Sequence, residues 1–460
     1  MRTRTLWSIA LLLLAALLAA LPARAQEEGS QAPARFLIET VTVAGPKEAA
    51  ANIVQAETLL REGETYTEEQ LRQAIYRIHR LPFVLDASFA LRKGSQRGAY
   101  ELVIDVQPAR WFFFDHWIRA FAFDQPLELE DETLRGNRSS LTLGGLAGAR
   151  LFVGRSGVVF GALDSREGIQ AGFTQYDLFH RGILASAGIS RNECCVTEVL
   201  PLALDPTFSS WSFGTSLKLS LGVSIPLSGP QSLQLAMSER HGDDGSRHEV
   251  LREPGFGLNP RSGSGRELTY RRAEAKWVWD TSDDPVLPTR GTSVSAGVEA
   301  ARFAARDLFL FQFDLPSNEA TTTPYSSLRS EQVVAAVSAI RHWPVTPRQT
   351  VSIQGRVSAG RSRVDNLAVR NRLLSHVDAD YYGSSAGVAH ALTLRRARSS
   401  ETLTDIRLAS GVEIGVEKTS PDLGPSPLER FSVHTGLVFR NPWGRVQVTL
   451  TYLDLGELER

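Results

Sequence analysis

The stretch "WVWDTSDDPVLPTRGTSVSAGVEAA", Trp277 to Ala301, places a cluster of Asp, Pro, Arg and Gly between two segments in which apolar and polar residues alternate. Such alternation predicts β-strands, because successive side chains of a strand point to opposite faces. Pro285 and Pro288 cannot donate to a strand ladder, and Gly291 allows backbone conformations that other residues avoid. The stretch therefore predicts two antiparallel strands joined by a tight periplasmic turn, "DDPVLPTRG" at 283–291.

The same alternation dominates the chain after Trp111. It is clearest in "TSLKLSLGVSI", residues 215–225, where Leu, Val and Ile alternate with Ser, Lys and Gly. A soluble β-sandwich alternates because it buries the apolar face, whereas a transmembrane β-barrel alternates because it turns that face to lipid. Alternation alone is compatible with both architectures.

Three further features favour the barrel. Short turns rich in Pro and Gly, at 226–232 and 344–349, are expected at one end of the strands. Long polar connections, at 239–266 and 302–328, are expected at the other end. Aromatic residues gather near strand ends, first in "WFFFDHW" at 111–117. Short turns, long loops on the opposite side and aromatic girdles are typical of outer-membrane barrels.

The amino-terminal residues predict export. Arg2 and Arg4 precede an apolar run at 9–21, and "ARA" at 23–25 is a small-x-small cleavage site. This pattern indicates a secretory signal peptide, with an uncleaved anchor as the alternative. No later segment approaches the ~18–20 consecutive apolar residues of a membrane helix. We expect the mature protein to begin near Gln26.

Charge and cysteine content narrow the classes of protein. Lys+Arg total 50 and Asp+Glu total 51, a formal charge of -1, so no overall field points to a nucleic-acid partner.

The two cysteines, Cys194 and Cys195, are adjacent and cannot join distant parts of a fold. Whether they form a local disulfide or remain thiols stays open, and the lack of a spaced second pair disfavours a metal role.

Residues 36–108 have a different pattern. A strand is predicted in "FLIETVTVAG" at 36–45, a helix at 48–60, and two further strands around 84–91 and 100–106. Together with a second helix, described next, these elements predict the order β-α-α-β-β for a small mixed domain.

The second helix of this region has the clearest periodicity. It lies in "GETYTEEQLRQAIYRIHRLP", residues 63–82, where Thr67 and Gln70 form a predicted capping box. Apolar residues at i, i+3, i+4 and i+7 predict one buried stripe, formed by Leu71, Ala74, Ile75 and Ile78. Gly63 marks the turn before the helix, and Pro82 ends it.

This region resembles a POTRA domain. The resemblance rests on the Gly63 turn, on the helix stripe and on the final strand pair, which ends in "YELVIDV" at 100–106. POTRA domains precede the membrane barrel in the BamA/TamA superfamily of outer-membrane assembly and translocation proteins. The resemblance implies one such domain in the periplasm.

Three barrel segments are similar to motifs of the same superfamily. "DDPVLPTRG" at 283–291 resembles an Asp-rich hairpin, and "YDLFHRGILASAGIS" at 176–190 resembles an early hairpin with the pattern "NLFGRG". "NPWGRVQVTLTYL" at 441–453 resembles the final strand. Its apolar ladder predicts a closing strand whose lipid-facing residues are Val446, Val448, Leu450 and Tyr452.

One family motif is missing. The superfamily carries an Arg-Gly-aromatic motif before its last strands, and its arginine reaches into the barrel lumen. Here the corresponding region, 381–400, offers Arg395 and Arg396 as candidate lumen arginines. The missing motif leaves open which residue replaces it and whether the chain retains insertion activity.

Enzyme and metal motifs are weak. "GSSAG" at 383–387 matches Gly-x-Ser-x-Gly with Ser385 as the serine, but that motif requires a buried strand before it and a helix after it. "RHGDDGSRHE" at 240–249 contains possible oxygen ligands for calcium without a fixed ligand spacing. We expect no catalytic, cofactor-binding or metal-binding residues and no enzymatic activity.

The sequence therefore predicts a mainly β protein with four parts: a signal peptide at 1–25, a linker at 26–35, a POTRA domain at 36–108 and an outer-membrane barrel at 109–460. About sixteen antiparallel strands are expected, since such barrels have even strand counts.

The resemblance implies a function in protein insertion or transport. The expected partners are unfolded or extended client polypeptides, outer-membrane lipid, and periplasmic or lipoprotein accessory proteins. The alternative is a passive pore or a structural barrel that keeps the fold without insertion activity. The identity of the client stays open.

Overall fold

The computed structural model describes residues 34–129, 132–165, 168–192, 196–199, 209–253, 256–285, 287–314, 319–369, 372–397, 404–420, 428–441 and 444–457. The predicted signal peptide at 1–25, most of the predicted linker at 26–35, and Cys194 and Cys195 lie outside these residues. Among the described residues, no helix is long and apolar enough to cross a membrane.

The amino-terminal region is a four-stranded sheet covered by two helices. Its elements are β1 (Arg35–Ala44), α1 (Glu48–Thr58), β2 (Thr65–Thr67), α2 (Glu68–Ile78), β3 (Val84–Lys93) and β4 (Ala99–Pro108). The strand order is β2-β1-β4-β3, with β1 and β4 parallel and the other pairs antiparallel. The short strand β2 was not predicted, because three residues are too few to show alternation.

The core of this region comes from the helix stripe. Leu71, Ile75 and Ile78 are 1%, 7% and 0% exposed, and all three belong to one apolar cluster with residues of the sheet. The capping box is confirmed, since the Thr67 hydroxyl accepts from the Gln70 N–H and the Gln70 side chain accepts from the Thr67 N–H. Gly63 has a φ of +81°, which favours glycine in the turn before β2.

The remaining strands form one large sheet. In chain order they are β5 (Phe112–Leu129), β6 (Glu132–Val153), β7 (Gly157–Asp164), β8 (Gly168–Leu178), β9 (Ile183–Asn192), β10 (Val196–Val199), β11 (Ser209–Pro226), β12 (Gln231–Glu253), β13 (Phe256–Asp280), β14 (Gly291–Asp314), β15 (Glu319–Thr346), β16 (Gln349–Val369), β17 (Arg372–Ala397), β18 (Thr404–Ser420), β19 (Leu428–Asn441) and β20 (Gly444–Glu457).

Among the described residues, this sheet closes into a barrel of fifteen strand positions. Each strand pairs with its chain neighbours, and β20 pairs with β5 to complete the ring. Both β9 and β10 pair with the same edge of β11. Strand β10 pairs with residues 210–213 of β11, and β9 pairs with residues 216–224, so the two segments share a single strand position in the barrel. The predicted count of about sixteen was therefore wrong.

The parity of the strand count has a geometric consequence. In a barrel of consecutive antiparallel strands, an odd number makes the first and last strands run in the same direction. The pairing of β20 with β5 is accordingly parallel, from Gly444 beside Phe114 to Asp454 beside Asp124. We call this pairing the seam.

The two faces of the barrel wall confirm the predicted alternation. Leu217, Leu219 and Leu221 are 40%, 49% and 56% exposed on the outer face of β11, whereas Ser216 on the inner face is 4% exposed. A soluble sandwich would bury the leucines, so the apolar face of this barrel is suited to lipid.

The predicted long connections at 239–266 and 302–328 were wrong. In the described residues of these two ranges, the hairpins β12–β13 and β14–β15 continue as paired strands. Backbone pairing does not require an apolar face, and cross-strand ion pairs such as Arg271 with Glu239, at 2.7 Å, occur along the extended hairpin.

Candidate functional site

The candidate site lies at the rim of the barrel next to the amino-terminal region, here called the near rim. Ten residues, 281–290, join β13 to β14 there. The predicted tight turn is thus a longer loop, held by carboxylates: Asp283 Oδ1 accepts from the N–H of Thr289 at 2.8 Å, and Asp284 Oδ1 accepts from the N–H of Leu287 at 2.9 Å. Gly291 has a φ of +108° where β14 begins.

Helix α2 contacts this loop through its carboxyl-terminal turn. The Arg80 guanidinium lies 3.2 Å from the Asp280 carboxylate and donates to the Asp280 carbonyl at 3.0 Å. The Arg290 guanidinium donates to the Tyr76 hydroxyl at 2.6 Å. Burial raises the pKa of Tyr76, and the positive charge of Arg290 opposes that shift. The loop is therefore fixed to the amino-terminal region by side chains 200 or more positions apart in sequence.

His79 connects the same loop to strand β3. Its Nδ1 lies 3.0 Å from the Asp283 carbonyl oxygen, and its Nε2 lies 3.0 Å from the Ala87 N–H nitrogen. The same Nε2 lies 3.1 Å from the Ala87 carbonyl oxygen, so the ring contacts both backbone groups of Ala87. One ring thus touches both the barrel loop and the outer edge of β3.

The other side of the loop reaches the barrel wall. Asp284 pairs with Arg440 of β19 at 2.9 Å, and Arg440 pairs with Asp405 of β18 at 2.8 Å. The side chains of Asp284, Arg440 and Asp405 are 14%, 15% and 5% exposed. Because β18 and β19 lie several positions around the ring from β13 and β14, the loop extends across the near rim.

The seam begins beside this cluster. Arg440 lies opposite Arg445 of β20 in the strand register, and Arg445 lies opposite Asp115 of β5. The Arg445 guanidinium donates from Nε to Asp115 Oδ1 at 3.2 Å and from Nη2 to Asp115 Oδ2. A row of charges therefore runs along the near rim from Asp405 to the seam.

Aromatic contacts complete the junction of the two regions. Phe83 meets the ring of Phe152 at 5.1 Å and the ring of Tyr176 at 5.9 Å, both edge to face. The Arg150 guanidinium donates to the Pro82 carbonyl oxygen. These contacts hold the start of β3 against strands β6 and β8.

The near rim brings together some of the residues singled out in the sequence. Arg290 contacts α2, while Pro288 and Gly291 belong to the loop or directly follow it. Arg395 is exposed and lies opposite Ile406 near the end of β17, and the side chain of Arg396 lies outside the described residues. Sequence reasoning did not select Arg440.

The closing strand has the expected alternation in its described part. Leu450 is 54% exposed, and Val446 and Val448 are partly exposed on the same face. Gln447 and Thr449 share the other face, where the Gln447 amide donates to the Thr449 hydroxyl at 3.1 Å. Tyr452 lies opposite Val433 in register, but its side chain is not among those described.

A closed sheet with an apolar outer face and buried charges inside defines a β-barrel of the transmembrane class. No protein-family model matches the chain, and no curated protein matches it.

Several solved structures are similar in fold. BamA from Haemophilus ducreyi lacking POTRA domains 1-3 is 10% identical, with a TM-score of 0.40 over 93% of this chain and 82% of that chain. CdiB from Acinetobacter baumannii is 10% identical, with a TM-score of 0.34 over 87% of this chain and 70% of that chain. The β domain of the Bordetella autotransporter BrkA is 11% identical, with a TM-score of 0.31 over 56% of this chain and 85% of that chain. The strand pairing of this chain itself defines its fold.

Proposed function

We propose that this chain is an outer-membrane barrel with one periplasmic POTRA domain, which accepts an extended polypeptide and passes it to the barrel for insertion or transport. The proposal rests on the superfamily resemblance of the sequence and on the arrangement at the near rim. No chemical step is involved, so the chain has no catalytic residues in this mechanism.

The observation that carries the proposal is the edge strand β3. It lies at the end of the four-stranded sheet order, and among the described residues no strand pairs with its outer side. The backbone of Ala87 points away from β4 towards His79, so the alternate residues Phe89 and Leu91 also direct their N–H and C=O groups outward. An extended client segment can add to such an edge by backbone hydrogen bonds, which makes recognition independent of client sequence.

The path from this edge to the seam is short. Strand β4 ends at Pro108, and β5, the first strand of the seam, begins at Phe112. A segment held on β3 is thus next to the near rim, where the seam pairs β20 with β5. Separation of β20 from β5 would expose strand edges to which a client strand could add within the membrane.

A disulfide across the seam tests this mechanism. Val448 and Ile118 are neighbours in the seam register, and Ala275 and Val298 are neighbours in the ordinary pair β13–β14. In a background with Cys194→Ser and Cys195→Ser, the pair Val448→Cys with Ile118→Cys should stop acceleration of client-barrel folding in liposomes when oxidised. The control pair Ala275→Cys with Val298→Cys should leave that acceleration unchanged.

The same liposomes separate the alternatives. Ion conductance without any acceleration of client folding would assign the chain as a passive pore. Release of fatty acids would assign an enzymatic function, for which Ser385 lies in the middle of β17 opposite Arg356 rather than at a strand-to-helix turn. Equal client folding with the seam locked and unlocked would refute the seam mechanism.

A further inference from the structure

A cavity of about 410 Å³ lies between helix α1 and three turns of the near rim. The turns are β6–β7, β8–β9 and β11–β12, and they contribute Arg155, Arg181 and Leu227 among others. Helix α1 and the residues after it contribute Leu59 and Arg61. The volume is within the range of small-ligand sites in proteins.

The lining of this cavity is basic on one part and apolar on another. Arg61, Arg155, Arg181 and His180 line it, against a single carboxylate, Asp177. Asp177 is already engaged, because its Oδ1 accepts from the Gly182 N–H at 3.0 Å and its Oδ2 lies 3.1 Å from His180 Nδ1. The cavity therefore has an excess of positive charge.

Two of these arginines are available for a ligand. Within the part of the chain that the structure describes, neither Arg155 nor Arg181 has an ion-pair partner, and both side chains are exposed. The Arg61 guanidinium lies 3.8 Å from the Glu64 carboxylate, too far for a hydrogen bond. Guanidinium groups bind phosphate oxygens through paired N–H donors, so an anion with several oxygens fits this part of the cavity.

The apolar part and the position of the cavity indicate the source of that anion. Leu59, Leu60, Pro226 and Leu227 line the cavity beside the arginines. Strand β6 ends two residues before Arg155, and its last outward residues, Leu151 and Val153, are 64% and 49% exposed. The cavity therefore lies where the apolar outer face of the barrel ends, which is the level of lipid headgroups.

The turn that carries Arg181 also presents an apolar side chain. Phe179 is 76% exposed at the tip of the β8–β9 turn. A cation and an exposed aromatic ring on one turn suit the boundary between acyl chains and headgroups. A soluble phosphate compound would gain nothing from Phe179 or Leu227.

We propose that this cavity binds the phosphate of an anionic phospholipid headgroup from the adjacent membrane leaflet, with Arg155 and Arg181 as its main ligands. Bound lipid would contact both α1 and the barrel turns and so strengthen the junction between the two regions. The proposal requires a membrane-spanning barrel but not client insertion, so its test is independent of the insertion assay.

The test uses the full mature chain, folded in detergent. Dihexanoyl phosphatidylglycerol is titrated into it, and the heat of binding is measured by calorimetry, with empty micelles as the blank. We expect saturable binding of about one lipid per chain. The double variant Arg155→Gln with Arg181→Gln should weaken it at least tenfold, since charge-assisted hydrogen bonds are lost. The control Arg97→Gln removes the same charge from the β3–β4 turn and should change nothing.

Other ligands distinguish the sources of the anion. Glycerol phosphate and inorganic phosphate should bind at least tenfold more weakly than the lipid, because they lack the apolar part. Equal binding of inorganic phosphate would make this a free-phosphate site, and stronger competition by hexaglutamate would make it a site for acidic protein segments. Either result overturns the proposal, as does unchanged lipid binding by the double variant.

If the double variant does not show the heat-modifiable mobility of a folded barrel, the single variants should each weaken binding at least threefold.

Discussion

Arg445 of β20 and Asp115 of β5 form a two-bonded ion pair across the parallel seam, although 330 positions separate them in sequence. Their side chains are 38% and 29% exposed, so water partly screens the pair. It nevertheless joins the last strand to the first at the near rim, beside the Arg440 cluster.

Asp115→Asn and Arg445→Gln should each weaken seam closure. Because the pair is partly exposed, the coupling free energy in a double-mutant cycle should be about 1 kcal/mol. The temperature at which the barrel loses its folded gel mobility should fall in each single variant. The double variant should lose no more stability than the less stable of the two single variants. If the stability losses of the single variants add in full, the pair does not stabilise the seam.

Asp284→Asn should release the 281–290 loop from the barrel wall. Arg440 keeps Asp405 as a partner, so the wall should survive, while the loop loses a charged contact worth about 2 kcal/mol. Trypsin should then cleave after Arg290 roughly tenfold faster or more, and conductance of reconstituted barrels should rise. Asp105→Asn, on the exposed surface of β4, is the matched control, and identical cleavage of the two variants would contradict the contact.

Leu450→Arg should block barrel assembly, whereas Thr449→Arg should be tolerated. An arginine on the lipid face near the midplane costs about 2–4 kcal/mol, while the inner face accepts polar side chains. The two positions are adjacent, so charge and size are matched. Heat-modifiable gel mobility measures assembly, and the reverse order of the two variants would mean that the strand faces the other way.

Residues 34–108 should fold alone as a soluble domain, and Ile75→Asp should unfold it. Ile75 is 7% exposed in the apolar cluster, where a carboxylate would have no partner. Circular dichroism of the isolated domain should lose its helical signal in this variant. Gln73→Asp, on the more exposed face of the same helix, should keep that signal.

Glu57 should make the stability of the amino-terminal region depend on pH. Burial raises the pKa of Glu57 from its ordinary 4.5 to about 7, and the charges of Arg77 and Arg80 oppose this shift. The folded state therefore binds the proton more tightly than the unfolded state does. The resulting stabilisation is complete below pH 4.5 and is lost as the pH rises to about 7.

Replacing Glu57 with Gln should remove this dependence. At pH 8 the variant should be more stable than the wild type by roughly 1–3 kcal/mol, since no half-buried carboxylate must ionise. Pulse proteolysis in urea, applied to the full chain at pH 5 and pH 8, measures the difference. A wild type that gains stability between these two values would exclude the raised pKa.

Local patterns predicted the elements well. The stripe of Leu71, Ile75 and Ile78 follows from helical spacing, and the outer face of β11 follows from strict alternation, because both signals lie within a few consecutive residues. The strand count could not be obtained in this way. Whether β9 and β10 occupy one position or two depends on which residues of β11 they meet, and periodicity does not report that pairing.

The site was predicted only in part for the same reason. Arg290 was selected from its hairpin, but its partner Tyr76 lies 214 positions earlier. Arg440 occupies an inward position of β19, and no local sequence pattern marks it as a site residue. Its partner Asp284 lies 156 positions away in sequence, and only the fold brings the two together. Arg395 is a candidate lumen arginine from its place in the sequence and lies next to a register shift in β17, and its role in the lumen stays a prediction.

The parallel seam also fixes the order in which the barrel can fold. Neighbouring antiparallel strands meet through short connections, whereas the pairing of β20 with β5 joins residues 330 positions apart, such as Arg445 and Asp115. Closure of so long a loop carries the largest entropic cost of any pairing in the chain, and contacts of high sequence separation form slowly. Seam closure is therefore expected to be the rate-limiting event of folding, and loss of the Arg445–Asp115 pair should slow folding as well as speed unfolding.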